Sequence, residues 1–174
     1  MIDLRETFEC GQCFRWNRCE DGSYIGIVNK KIYILKSADD IPPELYSYFD
    51  MDTDYDEIQN DLIRRDKTGI MERAVKAGKG IRILKQDLWE TIVSFIISQN
   101  NNIPRIKSCI EKLADNFGEY IGEYDGKKYF DVPGPEKLSG LKPEDLAPVK
   151  LGYRDRFLIE SAKMFMEGER QIVI

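Results

Sequence analysis

Two stretches of this sequence carry residue types suited to contacting a nucleic acid. The first is Ser98-Gln99-Asn100-Asn101-Asn102-Ile103-Pro104-Arg105-Ile106. Asn is a poor helix residue because its amide competes for the backbone. One Asn can cap a following helix with Pro104 near its first position, which accounts for one amide and the proline but not for all three. Asn amides hydrogen-bond base edges, and Arg105 can reach a guanine or cytosine edge or a phosphate. The second stretch is Leu151-Gly152-Tyr153-Arg154-Asp155-Arg156-Phe157. An aromatic ring between a glycine and an arginine can wedge into a base stack, with the arginine pairing to what lies beside it. The plainer alternative is an amphipathic helix start with a solvated arginine.

Other chemistry is scarce. The chain has no His, which removes most Ser-His and Cys-His schemes. No glycine-rich loop has phosphate-cradling spacing, and no pair of acids stands in an apolar setting that would split their pKa values. Cys10 and Cys13 have CxxC spacing, with Cys19 and Cys109 as the remaining cysteines. A structural zinc site wants four ligands, and a redox CxxC should open a helix after a strand. Phe8 to Trp16 alternates instead like a strand, so reduced thiols are the expectation, with no metal and no cofactor.

The formal net charge is −5, which on its face opposes phosphate binding. Segregation matters more than the sum. Acids cluster in Asp50-Met51-Asp52-Thr53-Asp54-Tyr55-Asp56-Glu57, while Arg105 with Lys107, and Lys150 with Arg154 and Arg156, are locally basic. The longest apolar run, Thr91 to Ile97, is too short to cross a membrane. No secretory signal is visible at the N-terminus, so the expected location is the cytoplasm (nucleoid-associated if the source is bacterial, nuclear if eukaryotic).

These segments need elements to hold them. Phe8, Cys10, Gln12, Phe14 and Trp16 mark one expected strand, and Ser23–Val28 and Lys31–Leu35 two more, joined by Asn29-Lys30. Pro42-Pro43 closes that region. Asp54 should cap a helix to about Arg65 with Tyr55, Ile58 and Leu62 on its inner face. Ile70–Ala77 is a second helix. Asp87 caps a third, with Leu88, Ile92, Phe95 and Ile96 as the buried stripe, widened by Trp89, Val93 and Ile97. Ile103–Phe117 is a fourth, ended by Gly118. Asp125-Gly126 to Pro135 reads as a loop or short strand pair. Pro135–Ser139 and Pro143–Pro148 read as short helical turns. Gly152–Met166 is a longer helix packed on Tyr153, Phe157, Ile159, Ala162 and Phe165. The expected architecture is α+β: a small twisted antiparallel sheet over residues 1–50, then an incomplete helical domain over 51–174. Ile172-Val173-Ile174 reads as the first turn of something cut short.

Three motifs in order resemble one family. Phe8-Glu9-Cys10-Gly11-Gln12-Cys13-Phe14-Arg15-Trp16 resembles its SGQxFRW strand. Ser94-Phe95-Ile96 followed by Asn100-Asn101-Asn102-Ile103-Pro104-Arg105 resembles its SFI..NNNI.RI segment, and Leu151 to Phe157 its LGYR.RY. The family is the 8-oxoguanine DNA glycosylases of the helix-hairpin-helix superfamily, and the likeness spans nearly the whole chain. The resemblance implies that the Gly11 carbonyl accepts the N7–H that only the oxidised base carries. It implies that Asn100 fills the gap left by the flipped nucleotide. Arg105 and Arg154 would hydrogen-bond the orphaned cytosine, and Tyr153 would be the wedge. Base extrusion is the shared strategy of such enzymes.

The family's L-P-G-[VI]-G-x-K hairpin, its nucleophilic Lys and its catalytic Asp follow the LGYR.RY helix. Val132-Pro133-Gly134-Pro135-Glu136-Lys137 echoes that hairpin only superficially, lacking its second glycine and preceding Leu151. The resemblance therefore implies a DNA N-glycosylase/AP lyase whose lesion and opposite-base recognition lies in these residues, acting on double-stranded DNA with 8-oxoguanine opposite cytosine. This chain alone is expected to be inactive. The alternative is a non-catalytic fragment that binds DNA or a partner, or that self-associates through exposed apolar surface.

Overall fold

The structure is a computed structural model and describes residues 2–168. The tripeptide Ile172-Val173-Ile174 lies outside the described residues. Contacts divide the described chain into two groups rather than at one cut after residue 50. The first comprises residues up to Cys13, Arg18–Tyr24 and Leu35–Lys85. The second comprises Phe14–Asn17, Ile25–Ile34 and the chain from Gln86 onward.

The first group opens with α1 (Leu4–Glu9), where a strand was expected. Asp3 caps it by accepting the Glu6 N–H, and Leu4 and Phe8, one turn apart, are both buried. Gly11 at φ +91° then turns the chain, so the alternation from Phe8 to Trp16 never becomes extended. Phe8 packs on Tyr24 and Phe49 at 5.2 and 5.8 Å between ring centroids. The Gln12 amide ties this turn down, donating to the carbonyls of Thr7 and Arg82 and accepting from Leu84 N–H. Helices α2 (Tyr55–Arg65) and α3 (Ile70–Ala77) form at the expected bounds, but neither buries a residue. Ile58 and Leu62 are exposed rather than inward. Capping and ion pairs hold these helices: Asp54 accepts Glu57 N–H, Asp61 pairs with Arg64 and Arg65, and Asp66 accepts from Thr68 and Met71.

Strands β1 (Asn17–Arg18), β2 (Tyr24–Val28) and β3 (Lys31–Leu35) make a three-stranded sheet in that order. Asn29 and Lys30, at φ +50° and +60°, turn β2 into β3. Within the second group, Gly26 lies flat under Trp16, and a Cβ there would stand 2.2 Å from the indole. A second hairpin joins β4 (Tyr120–Tyr124) to β5 (Lys127–Phe130), antiparallel, with Asp125 and Gly126 at its tip. The expected turn there is right, but the strands flank it instead of following it.

The second group's core lies among α4 (Leu88–Ser98), α5 (Ile103–Phe117), α6 (Pro135–Ser139), the 3₁₀ turn Pro143–Val149 and α7 (Arg154–Gly168). The buried stripe of α4 is Trp89, Val93 and Ile97, spaced four apart, together with Ser94. Leu88 and Phe95, expected inward, are 61% and 66% exposed. The reason is register. Trp89 is fixed by its indole N–H donating to Pro133 O at 2.9 Å and by packing on Phe165, which turns the Leu88 side outward. On α7 the inward residues are Leu158, Ile159 and Ala162, while Tyr153 and Phe157 face solvent. Small antiparallel sheets with several helices make this an α+β fold.

Candidate nucleic-acid interface

The turn from α4 to α5 is built by its three asparagines, each in a different way. Asn100 takes the left-handed conformation at φ +48°, which Asn tolerates better than most residues. Asn101 turns its amide back to donate to Ile97 O at 3.0 Å, closing the end of α4. Asn102 caps α5, accepting Arg105 N–H at 3.1 Å. The sequence reading credited local structure with one Asn; the fold uses all three. The side chain of Asn100 remains exposed.

The start of α7 meets this turn. Arg154 is 5% exposed, and its guanidinium is a clamp. Nε donates to Gln99 O at 3.0 Å and Nη1 to Leu151 O at 3.0 Å. Nη2 donates to Gln99 O and to Asn100 O, the latter at 3.1 Å. A planar fork of donors suits such a cluster of carbonyls, and a lysine could not cover them. The same guanidinium lies 4.5 Å from the centroid of the Tyr153 ring. Tyr153 is 53% exposed and rests edge-on against Phe157. Lys150 and Gly152, at φ +61° and +67°, supply the two bends that present it. Arg105 is exposed, and its Nη2 approaches Lys150 O at 3.5 Å.

The fold therefore brings Asn100, Arg105, Tyr153 and Arg154 to one locus from segments about fifty residues apart. Gly11 belongs to the other group of residues. It is exposed, and its position rests on the Gln12 anchor beside it. Two basic residues singled out from sequence have different fates. Lys107 donates to Trp16 O at 2.6 Å and to Asn17, so it serves the interior, whereas Arg156 is exposed. Sequence reasoning missed the carbonyls of Gln99 and Leu151 as acceptors, because backbone acceptors leave no mark on residue type. It also missed Arg15, whose 3% exposed side chain bonds Glu111 and Phe130 O.

Cys10, Cys13, Cys19 and Cys109 are free thiols, and no cluster of three metal-binding side chains occurs among the described residues. No helix among the described residues is long and apolar enough to cross a membrane.

The chain is similar to several known proteins. Residues 1–44 and 37–92 match the model of the 8-oxoguanine DNA glycosylase N-terminal domain. An N-glycosylase/DNA lyase of Saccharomyces cerevisiae is 31% identical over 97% of this chain and 50% of its own length. Among solved structures, MBOgg1 in complex with a low affinity DNA ligand is 42% identical with a TM-score of 0.84, covering 97% of this chain and 61% of that one. The 8-oxoguanine glycosylase/lyase of Clostridium acetobutylicum was solved with double-stranded DNA containing cytosine opposite 8-oxoG. It is 37% identical with a TM-score of 0.86, over 97% of this chain and 60% of that one. The chain spans about half the length of the curated relatives it matches.

Proposed function

Given that this chain belongs to the 8-oxoguanine DNA glycosylase family, we propose that it supplies the DNA-reading part of an 8-oxoguanine glycosylase/lyase. Its substrate in this reading is duplex DNA with 8-oxoguanine opposite cytosine. Asn100 enters the space vacated by the extruded nucleotide, and Tyr153 is the ring that kinks the stack. Arg105 and Arg154 face the orphaned cytosine, with Arg105 the freer donor because Arg154 is held by backbone carbonyls. Gly11 offers its carbonyl to the N7–H of the oxidised base. The observation that carries this reading is the meeting of the α4–α5 turn with the start of α7. That contact converts two separate motifs into one surface of amides, guanidinium groups and a phenol.

The same surface supports a second part of the proposal, that this chain reads the lesion without breaking the glycosidic bond. Lys107, the lysine nearest the α4–α5 turn in sequence, is taken up by Trp16 O and Asn17, and Lys150, just before α7, makes no ion pair with a carboxylate among the described residues. The test is borohydride trapping of the 174-residue chain on an 8-oxoguanine:cytosine duplex, with binding measured in parallel by fluorescence anisotropy. The expected result is salt-sensitive binding that prefers cytosine opposite the lesion, with no covalent band. A trapped band would overturn the second part. Equal affinity for lesion-containing and undamaged duplexes would overturn the first.

One observation favours partner binding beside this reading. Leu88, Phe95, Phe157 and Met164 are large apolar side chains more than half exposed on α4 and α7. Sedimentation over a range of concentrations tests self-association through them, and a constant monomer mass would remove it.

A further inference from the structure

The second group of residues contains a cavity of about 890 Å³ that the DNA-reading scheme leaves unused. That is the volume of an ordinary small-ligand site. Its walls combine aromatic and apolar groups, with Trp89, Phe117 and Phe165 prominent, and carboxylates. Five acids line it, Asp87, Glu90, Glu119, Asp131 and Glu136, against two ammonium groups, Lys30 and Lys137. Lys30 is already taken: its Nζ lies 2.9 Å from Glu119 and 3.9 Å from Asp131. Asp87 is engaged in capping α4 through Glu90 N–H.

Glu90 is different. It is half-buried, it lines the cavity, and its carboxylate has neither hydrogen bond nor ion pair among the described residues. A half-buried carboxylate crowded by other acids at a cavity wall favours a cation beside it. The cation acting on it most is Arg15, whose Nη1 is buried without a partner, but its direct partners are Glu111 at 3.2 Å and Phe130 O at 2.8 Å, and it makes no ion pair with Glu90. Burial pushes the Glu90 carboxyl up to about 7. Arg15 opposes that shift, while Asp131, Asp87 and Glu111 add to it. Burial also raises Asp131. Apart from Arg15, the groups that act most strongly on Glu90 are acidic, on its own helix cap, on α5 and after β5, while Lys30 and Lys137 line the same cavity, Lys30 held by Glu119.

We propose that this cavity binds an organic cation, its guanidinium or ammonium group paired with Glu90 and its carbon frame laid along Trp89, Phe117 and Phe165. A carboxylate supplies the charge-assisted hydrogen bonds and the aromatic walls the cation–π attraction. A guanidinium fits best, because it is planar, weakly hydrated and able to bond a carboxylate with two N–H groups at once. Two sources share this chemistry, a free alkylguanidine or polyamine and an arginine side chain. The inference does not rest on the DNA-reading proposal.

The experiment is isothermal titration of the whole chain with agmatine, and separately with an acetylated, amidated arginine, at pH 7 and in two buffers of different ionisation enthalpy. Binding at pH 7 should release protons, since the cation holds Glu90 ionised; the two buffers will then report different heats. Glu90→Gln keeps the shape and removes the charge, and should weaken binding by roughly tenfold or more. Agmatine alone binding supports a free cation, and the blocked arginine binding as well supports a docked side chain. No binding of either at about 10 mM, tenfold weaker than the ~1 mM that a single anchored charge pair should reach, would overturn the site. So would a Glu90→Gln variant that binds as the parent does. DNA affinity measured on the same variant separates this outcome from failure of the recognition scheme, because Glu90 is no part of that surface.

Discussion

The two ends of α4 have opposite chemistry. At its C-terminal end the chain offers amides and guanidinium groups, with Asn100 exposed, Arg105 exposed and Arg154 clamped on Gln99 and Asn100. At its N-terminal end it gathers carboxylates, with Asp87 as cap and Glu90 one turn further on, beside Asp131 and Glu119. Both arrangements follow the helix dipole only in part. Acids suit an N-terminus, but the orphan carbonyls at the other end need donors, and Arg154 and Asn101 provide them. The difference explains how a chain of net charge −5 can still present a surface of amides and guanidinium groups. The negative charge is concentrated elsewhere, and the length of α4, anchored by buried Trp89, Val93 and Ile97, keeps the two chemistries apart.

The strongest way to break this arrangement is Arg154→Ala. It leaves the carbonyls of Gln99, Asn100 and Leu151 without their donor and opens a space in the interior. Charge-assisted hydrogen bonds to buried groups contribute about 1.5–3 kcal/mol each, so a loss of about 3 kcal/mol of stability is expected, together with the duplex preference. Arg154→Lys should recover only a fraction of either, because a point charge cannot span three carbonyls. Urea unfolding checks this, and an unchanged midpoint for the alanine variant would show that the turn holds without the clamp.

The acidic end responds in the other direction. Glu90 is protonated more readily in the folded chain, its carboxyl standing at about 7 against the ordinary 4.5. A carboxyl raised by folding contributes stability that is complete below its ordinary value and is lost as pH rises through 7. Glu90→Gln removes that dependence. The variant should be more stable than the parent by about 1–3 kcal/mol at pH 8, and nearly equal to it at pH 4.5, as read from melting temperatures across pH. A parent that is as stable as the variant at pH 8 would mean that Arg15 or water satisfies the carboxylate after all.

Arg105→Ala sharpens the contrast without touching the interior. The side chain is exposed and its one backbone contact is long, so stability should hold within about 0.5 kcal/mol. Preference for cytosine opposite the lesion should fall by about 1–3 kcal/mol, seen as a loss of discrimination between opposite bases in anisotropy titrations. Retained discrimination would move the reading of cytosine to Arg154 alone.

Much of this was legible in the residues, and the failures have one cause. Helix bounds signalled by Asp54, Asp87, one of the three asparagines and Gly118 appear where the caps put them, because capping is local. Which side of a helix faces inward is not local. Leu88 and Phe95 gave as good a stripe on α4 as Trp89, Val93 and Ile97, and only the Trp89 bond to Pro133 O, forty-four residues away, decides between them. The amphipathic pattern of α2 likewise promised burial that no neighbour supplies. The run Phe8 to Trp16 failed for a different reason: its alternation is real in composition, but the Asp3 cap and the Gly11 turn outweigh it. At the interface, Asn100, Arg105, Tyr153 and Arg154 were recognisable as a set, whereas the burial of Arg154 was not. Glu90 was invisible as well. An acid directly before an apolar run reads as a solvated first-turn residue until the cavity around it is seen.

Asn100 has two roles that one substitution can separate. Its backbone stands at φ +48°, and its side chain is exposed at the turn. Asn100→Gly keeps the backbone conformation at little cost, since glycine enters the left-handed region freely, and removes only the amide. Asn100→Ala removes the amide and strains the backbone by about 1 kcal/mol. If the side chain fills the space left by an extruded nucleotide, both variants should lose affinity for lesion-containing duplex to a similar degree, while only the alanine variant unfolds earlier. If the residue is there for the turn alone, the glycine variant should bind as the parent does. The comparison of the two variants, rather than either by itself, therefore decides whether the C-terminal end of α4 reads DNA through Asn100 or only shapes the loop that carries Arg105.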